Sequence, residues 1–297
     1  MKRRSMKKGW QLYLLLLPAI IYVMIFSYGP MYGIIIAFKD YKAKLGYLGS
    51  EWVGLEHFIR FLKYPDLWKL IRNTLSISLY SLATFPCAII LALLINEIKN
   101  VRFKKVVQMV TYAPHFLSTV VMCSLVTMMM GRDGLFGHLY GFFTGSNQDL
   151  LTIPQFFSSI YVWSGVWQNT GWGTIIYLAA LSGVSQDLVD SAKIDGANRL
   201  DIIWHVNIPT ILPTIVIMFI MNVGSILSVG FEKIFLLQNN LNLDASRVIS
   251  TYVYDIGLLG GQFSYSTAIG LFNNVVNVIM LLIANKISRK ISGIGIW

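Results

Sequence analysis

The stretch VDSAKIDGANRLDIIWHVNIPTILP, residues 189–213, decides the fold because it places a polar loop between two long apolar runs. Its first half has the composition of a short helix, and Asp195 with Gly196 predicts a helix stop followed by a turn. Its second half, up to His205, predicts another short helix, and Pro209 begins the next apolar run. The stretch therefore predicts two short helices, set at an angle, that join two long apolar helices.

The rest of the sequence is strongly apolar. Of its 297 residues 55% are hydrophobic and only 13% are charged, whereas soluble domains carry about 25% charged residues. The net charge of +10 comes from short basic clusters rather than one polar face, which argues against nucleic acid as a partner. Cys87 and Cys123 lie inside apolar runs and offer no metal-ligand spacing. A membrane protein that binds no nucleic acid, metal or cofactor is predicted.

Six apolar stretches are long enough to cross a membrane, since a spanning helix needs about 20 apolar residues. They lie near residues 12–37, 74–96, 106–130, 155–183, 206–231 and 265–286. The first is too long for the apolar part of a secretory signal, which spans about 7–15 residues, so a retained first helix is expected. Pro18, Pro86 and Pro114 predict kinks in the first, second and third stretches. The pattern predicts an all-α polytopic membrane protein, with residues 1–297 forming one transmembrane domain.

Basic residues set the predicted orientation. They cluster before the first stretch, between the second and third, and after the sixth, positions that share one side of a six-helix arrangement. Because cytoplasmic loops carry an excess of Lys and Arg, both termini and the loop at 184–209 are predicted to be cytoplasmic. The clustered residues are Lys2, Arg3, Arg4, Lys7, Lys8, Lys99, Arg102, Lys104, Lys105, Lys286, Arg289 and Lys290.

The 184–209 loop resembles the EAA loop of ABC importer permeases, whose usual pattern is Glu-Ala-Ala, three residues, Gly, and later a Leu-Pro pair. Asp190 and Ser191 stand where the Glu and the first Ala are usual, and Ile208 with Pro209 stands in place of the Leu-Pro pair. The pattern is kept at Ala192, Asp195, Gly196 and Ala197.

Shorter stretches extend the resemblance to the maltose-type sugar permeases over nearly the whole chain. They are AFKDY (37–41), VGLEHF (53–58) and YSTAIGLFNNVVN (265–277). The ANKISRK ending at Lys290 is most similar to the branch that handles oligosaccharides or polysaccharide fragments. The resemblance implies a type I ABC importer permease fold in the bacterial plasma membrane.

The resemblance also implies partners. These are a related, non-identical second permease, two ATP-binding subunits that use ATP and Mg, and an external sugar-binding protein, all at a lipid membrane. The sequence has no G-x-x-x-x-G-K-[ST] phosphate loop, so hydrolysis is expected in the partners. This chain is predicted to be a transport subunit and not an enzyme.

In this family the loop transmits the energy of ATP hydrolysis, and three of its residues are the leading candidates here. Asp190 would cap or pair at its helix, Gly196 would permit the turn, and Arg199 would offer a forked donor to the partner. Leu188, Ala192 and Ile194 are expected to face the helix bundle. The alternative is a solvated cytoplasmic turn that ends at a glycine.

Polar and aromatic residues of the fourth and fifth stretches are candidates for the sugar pathway, since such groups match hydroxyls and sugar faces. The candidates are Trp163, Trp167, Gln168, Asn169, Ser225, Ser228 and Glu232. The resemblance carries over this region and not the individual residues. The alternative is that the tryptophans are packing or interfacial anchors and the amides join helices. A snorkelling or Lys233-associated role fits Glu232 equally well.

An ion- or proton-coupled secondary transporter or a channel is the competing interpretation. Secondary transporters typically show buried acidic or histidine relays and repeat-related broken helices, and neither is evident in the sequence. A channel would leave the EAA-like loop without an explanation. His115 fits helix packing better than a proton relay, so it is assigned no role.

Overall fold

The computed structural model describes residues 10–297, and these are mainly helical. Lys2, Arg3, Arg4, Lys7 and Lys8, which entered the predicted orientation, lie outside the described residues. The helices are α1 (Trp10–Val23), α2 (Gly29–Met31), α3 (Gly46–Gly49), α4 (Glu56–Leu62), α5 (Leu67–Ala83), α6 (Pro86–Glu97), α7 (Val101–Tyr112), α8 (Thr119–Met130), α9 (Leu135–Thr144), α10 (Pro154–Leu181), α11 (Gln186–Ile194), α12 (Arg199–Ile202), α13 (Ile208–Val223), α14 (Phe231–Leu237), α15 (Leu243–Ser246), α16 (Ile249–Tyr254) and α17 (Phe263–Ser292). The predicted all-α class is confirmed.

Five helical segments of the described chain are long and apolar enough to cross a membrane. They are Trp10–Phe38, Leu67–Glu97, Thr119–Thr144, Arg199–Val223 and Phe263–Ser292. The helix α10 is not one of these five, because polar residues such as Gln168 and Asn169 interrupt its apolar sequence. Its 28 residues nevertheless extend about 42 Å at 1.5 Å per residue, which exceeds a hydrocarbon core of about 30 Å. With α10, the number of long segments equals the six that the sequence predicts.

Two of the predicted stretches are each divided into two helices. The second is split into α5 and α6, and α6 begins at Pro86. The third, near 106–130, is split into α7 and α8 by a 3-10 turn, Ala113–Phe116, which contains Pro114. Proline lacks an N–H and its ring clashes with the preceding turn, so it starts a helix more easily than it continues one. At Pro86 and Pro114 the predicted kinks are therefore complete breaks in the α-helix, whereas Pro18 lies inside α1.

The fifth stretch, near 206–231, is helical only as far as Val223, where α13 ends. The chain continues without α-helix through Gly224 and resumes at α14. A Cβ atom at Gly224 would lie 2.5 Å from the Leu281 side chain of α17. The glycine thus allows the end of α13 to approach α17 closely, and α14 is a separate short helix.

The described residues form two compact units. One contains residues up to Tyr64 together with 253–272, and the other contains 65–252 together with 273–297. In the first unit, β1 (Lys39–Asp40) pairs antiparallel with β2 (Glu51–Trp52). Each strand has only two residues, so the fold class remains all-α. The single domain expected over residues 1–297 remains a prediction.

The second unit has two apolar clusters. The first joins α5, α8 and α10 to α14, with Ile77, Phe157 and Ile234 fully buried. The second joins the ends of α6, α10 and α13. Its buried members are Ala92, Leu93, Tyr177, Leu181 and Ile211.

Asn242, just before α15, forms side-chain hydrogen bonds that link segments of the chain beside the first cluster. Its side chain is fully buried, and its Nδ2 donates to the carbonyl oxygens of Leu151 (2.9 Å) and Leu237 (3.1 Å). Its Oδ1 accepts from the Ser246 hydroxyl at 2.8 Å. One amide therefore satisfies buried polar groups of three segments.

Asn242→Leu is expected to lower the stability of the permease, because the carbonyl of Leu237 loses the Asn242 donor and the carbonyl of Leu151 keeps only the Asn239 amide. The loss should be about 1–3 kcal/mol, measured as a lower Tm of the detergent-solubilised protein. Asn240→Leu, at an exposed asparagine two residues away, is the control and should leave the Tm unchanged. Equal Tm values for both variants would contradict a structural role of the Asn242 amide.

Candidate functional site

The turn between α11 and α12 is closed by main-chain hydrogen bonds. Gly196 has a φ of 86°, in the left-handed region that side-chain-bearing residues rarely adopt. Its N–H donates to the carbonyl of Lys193 (3.0 Å), and the N–H of Ala197 donates to that of Ala192 (2.9 Å). Together these bonds form a Schellman motif, which ends α11 where the sequence predicts a helix stop.

A second motif, centred on Asn198, follows immediately. The Asn198 Oδ1 accepts from the N–H groups of Leu200 (2.8 Å) and Asp201 (3.1 Å), while the Asp201 carboxylate accepts from the Asn198 N–H at 2.9 Å. This reciprocal capping box starts α12. The loop is thus held at both sides of its turn by hydrogen bonds within its own sequence.

Asp190 is engaged within α11. Its Oδ1 accepts from the Lys193 ammonium at 2.8 Å and from the Gln186 amide at 3.1 Å. The hydrogen bond from Lys193, followed by that from Gln186, lowers the pKa of the Asp190 carboxyl below its usual value. The carboxylate is exposed and stays ionised at neutral pH, in the helix-pairing arrangement expected of it.

Large apolar side chains of the loop are exposed. Leu188 is 56% exposed and Ile194 is 86% exposed on α11, and Leu200 (66%) and Trp204 (64%) follow on the other side of the turn. The prediction that Leu188 and Ile194 face the bundle is therefore wrong, because helical periodicity marks an apolar face without specifying what covers it. Apolar side chains in a polar loop indicate a surface for a partner.

The base of the loop is packed into the bundle. Ile202 and Asn207 are buried, and Ile203 and Ile208 pack against the second apolar cluster of α6, α10 and α13. The remaining predicted loop residues are exposed. They are Ser191, Asp195, Arg199 and Pro209.

A cavity of about 860 Å³ lies between α5, α6, α10 and α13, with Lys233 of α14 on its wall. Its polar groups include the hydroxyls of Ser81, Thr84 and Thr170 and the amides of Asn169 and Asn222. The aromatic residues of the wall are Phe85, Tyr161, Trp172 and Tyr177. Amides, hydroxyls and aromatic faces are the groups that match a sugar.

The structure brings only some of the predicted pathway residues to this region. Asn169 lines the large cavity. Ser225 and Ser228 line a smaller one of about 180 Å³, which shares Ser81 and Asn222 with the large cavity.

The other predicted pathway residues, Trp163, Trp167, Gln168 and Glu232, do not line either of these two cavities in the described structure. The Trp163 indole donates to the Tyr80 hydroxyl at 2.8 Å, and the Gln168 amide donates to the carbonyl of Leu117 at 3.2 Å. These bonds join α10 to neighbouring segments, as the alternative interpretation expects.

His115 lies beside two of the cavity residues. Its Nδ1 is 3.0 Å from the Asn169 Oδ1, and its ring stacks on Trp172 with centroids 4.6 Å apart. The histidine therefore holds the cavity wall in place, in the packing role expected from the sequence. Lys233 is the functional candidate that sequence reasoning missed, although an ionisable residue beside a predicted span is itself a signal.

Residues 69–293 match the family described as the binding-protein-dependent transport system inner membrane component. The chain belongs to this family. It is 45% identical to the polygalacturonan/rhamnogalacturonan transport system permease protein YteP of Bacillus subtilis (strain 168), over 96% of this chain and 90% of that protein. It is 41% identical to the protein LplB of the same organism, over 99% of this chain and 93% of that protein.

Solved structures are similar over the same extent. One is the crystal structure of a bacterial ABC transporter involved in the import of the acidic polysaccharide alginate. Its matching chain is 37% identical with a TM-score of 0.88, covering 97% of this chain and 98% of that one. A bacterial alginate ABC transporter in complex with an alginate pentasaccharide-bound periplasmic protein has the same identity and TM-score, with 99% coverage of both chains.

Family membership confirms several predictions. The chain is a multi-pass membrane permease with the type I ABC importer permease fold, and it is a transport subunit rather than an ATPase. Membership of this family argues against the competing interpretation of the chain as a secondary transporter or a channel.

Proposed function

We propose that this permease forms half of the translocation pathway for an oligosaccharide, with a related second permease forming the other half. An external binding protein delivers the sugar, and two ATP-binding subunits using ATP and Mg supply the energy. The cargo is supported by the relatives, one named for polygalacturonan and rhamnogalacturonan transport and one described with an alginate pentasaccharide.

The cavity supports the same cargo. Cavities of about 300–1,000 Å³ hold small ligands, and this one has about 860 Å³. Its wall combines amides and hydroxyls with the partly exposed ring of Trp172. The amides and hydroxyls can form hydrogen bonds with sugar hydroxyls, and the apolar face of a sugar ring can stack on Trp172. An oligosaccharide segment therefore suits the site.

The 184–209 loop is, in this proposal, the element on which an ATP-binding subunit docks. The observation that carries this role is the contrast between the loop's two sides. Its outer side exposes Ile194, Leu200 and Trp204, while Ile203 and Ile208 at its base pack into the core shared by three long helices. A force applied to the outer side is therefore passed to packed helices rather than absorbed by a flexible segment.

The proposal places both termini and this loop in the cytoplasm of a bacterium, with the chain in the plasma membrane. Among the described residues, the orientation rests on the basic residues around the start of α7 and in the last turns of α17. These are Lys99, Arg102, Lys104, Lys105, Lys286, Arg289 and Lys290. Their excess over acidic residues matches the positive-inside rule.

Charged residues on the outer side of the loop test the proposal. The double variant Ile194→Glu with Leu200→Glu is expected to reduce oligosaccharide uptake at least tenfold, because two carboxylates would be buried against the docked subunit. The ATP-binding subunit should no longer co-purify. Both side chains are exposed, so the amount of inserted permease should not change.

The matched control is Ile194→Met with Leu200→Met, which keeps the surface apolar and should retain uptake. Full uptake and unchanged co-purification in the glutamate variant would contradict the docking role. Absence of oligosaccharide uptake by the unaltered importer would contradict the cargo.

A further inference from the structure

Among the described residues that line the large cavity, Lys233 is the only charged one. It lies on α14, and its ammonium donates to the carbonyl oxygen of Tyr161 on α10 at 2.8 Å. The same ammonium is 4.8 Å from the centroid of the Tyr161 ring. The lysine is therefore held against α10, with its charge at the cavity wall.

The ammonium has no acidic partner within the described residues. Ion pairs within 4.0 Å in the described residues, such as those of Lys42 with Asp40, Lys69 with Asp244 and Lys193 with Asp190, do not include Lys233. A carbonyl and a ring face stabilise the cation without neutralising it. A partly buried charge without a counter-ion is costly, so its presence on the wall of a pathway indicates an anionic ligand.

A glycine of α10 accommodates the ammonium of Lys233. A Cβ atom at Gly165 of α10 would lie 3.2 Å from the Lys233 Nζ, so a larger residue would displace the ammonium. Asn169, one helical turn after Gly165, and Asn222 of α13 line the same cavity. One cation is thus combined with neutral amides, an arrangement that matches a sugar carrying a single carboxylate per ring.

We propose that Lys233 binds a carboxylate of the passing oligosaccharide and thereby selects chains that contain uronic acid residues. This inference rests on the proposed function for its oligosaccharide cargo and adds the charge of that cargo. The carboxylate would pair with the ammonium, while the amides and hydroxyls of the wall would bind the ring hydroxyls.

The test uses the complete importer in proteoliposomes, with the same binding protein in every sample. Tetragalacturonate and its methyl-esterified form are the two probes. Unaltered importer is expected to take up the acid at least tenfold faster than the ester. Lys233→Met should lower this ratio at least fivefold, and Lys233→Arg should retain it because the charge is kept.

The ratio separates recognition from structure. A merely structural lysine would affect both probes equally, and the contribution of the binding protein is the same for every variant. An unchanged ratio of acid to ester uptake in Lys233→Met would overturn the inference. Uptake of only the ester or maltotetraose by the unaltered importer would overturn it as well. Failure to take up any of the three sugars would instead overturn the proposed cargo, and the inference with it.

A second measurement uses the unaltered chain and so does not depend on the folding of a variant. A carbodiimide joins a carboxylate to an adjacent amine, so treatment with tetragalacturonate should add the sugar to Lys233 in the peptide mass map. Maltotetraose should add nothing. Adducts at exposed lysines with none at Lys233 would contradict binding in the cavity.

Discussion

Gly196→Val is expected to reduce oligosaccharide uptake more than tenfold and to abolish co-purification of the ATP-binding subunit. The backbone at Gly196 has a φ of 86°, and the left-handed region costs an L-residue about 1–2 kcal/mol, with a further cost for a β-branched side chain. Relief of this strain requires the Schellman bonds at Gly196 and Ala197 to open. The angle between α11 and α12 would change, and with it the shape that the partner recognises.

Two control variants separate the role of the loop from backbone strain. Gly145→Val introduces the same residue at a φ of 78°, also with no atom near the added Cβ, after α9 rather than in the loop. It should retain uptake. Gly196→Asn should also retain much of the uptake, because asparagine tolerates this conformation. If Gly196→Val reaches the membrane and transports normally, the loop does not transmit the energy.

Gly171→Ala is expected to have the largest effect on folding. A Cβ atom at Gly171 would lie 2.0 Å from the carbonyl oxygen of Thr111 and 2.4 Å from its carbon. Both atoms belong to the backbone of α7, so no side chain can rotate away and the two helices must separate. The expected loss is about 3 kcal/mol or more, seen as a lower Tm and a lower yield of monodisperse permease.

Gly270→Ala is the matched control within a helix. Nothing lies within 4 Å of a Cβ atom added at Gly270 of α17, and alanine favours a helix over glycine by about 1 kcal/mol. The Tm of this variant should be unchanged or slightly higher. A Gly171→Ala protein with the Tm of unaltered permease would show that α7 and α10 do not pack as closely as the structure indicates.

Composition and the length of apolar runs were enough to predict the helical membrane fold, because lipid requires each spanning segment to satisfy its own backbone. The same patterns did not locate the breaks at Pro114 and Gly224. A proline predicts a local disturbance, but neighbouring packing decides whether the helix bends or ends. At Gly224 the decisive contact is with Leu281, more than fifty residues further along the chain.

The turn at Gly196 could be predicted because its chemistry is local, with glycine and the capping residues adjacent in sequence. The lining of the cavity could not be predicted in this way, because it depends on contacts between residues far apart in the sequence. Lys233 contacts Tyr161, which is 72 residues away, and only the packed structure shows that Asn169 faces the cavity while Gln168 binds a neighbouring carbonyl. For Leu188, periodicity detected an apolar face but could not distinguish the bundle from a partner protein.

One helix, α10, connects the loop to the cavity. Its last turns contribute Tyr177 and Leu181 to the cluster that supports the loop, and its middle contributes Asn169 and Trp172 to the cavity wall. In the proposed function, a change in this helix that suits a new sugar would also alter the coupling of ATP hydrolysis to transport. A new sugar specificity should therefore arise first in cavity residues contributed by other helices, while the middle of α10 changes little.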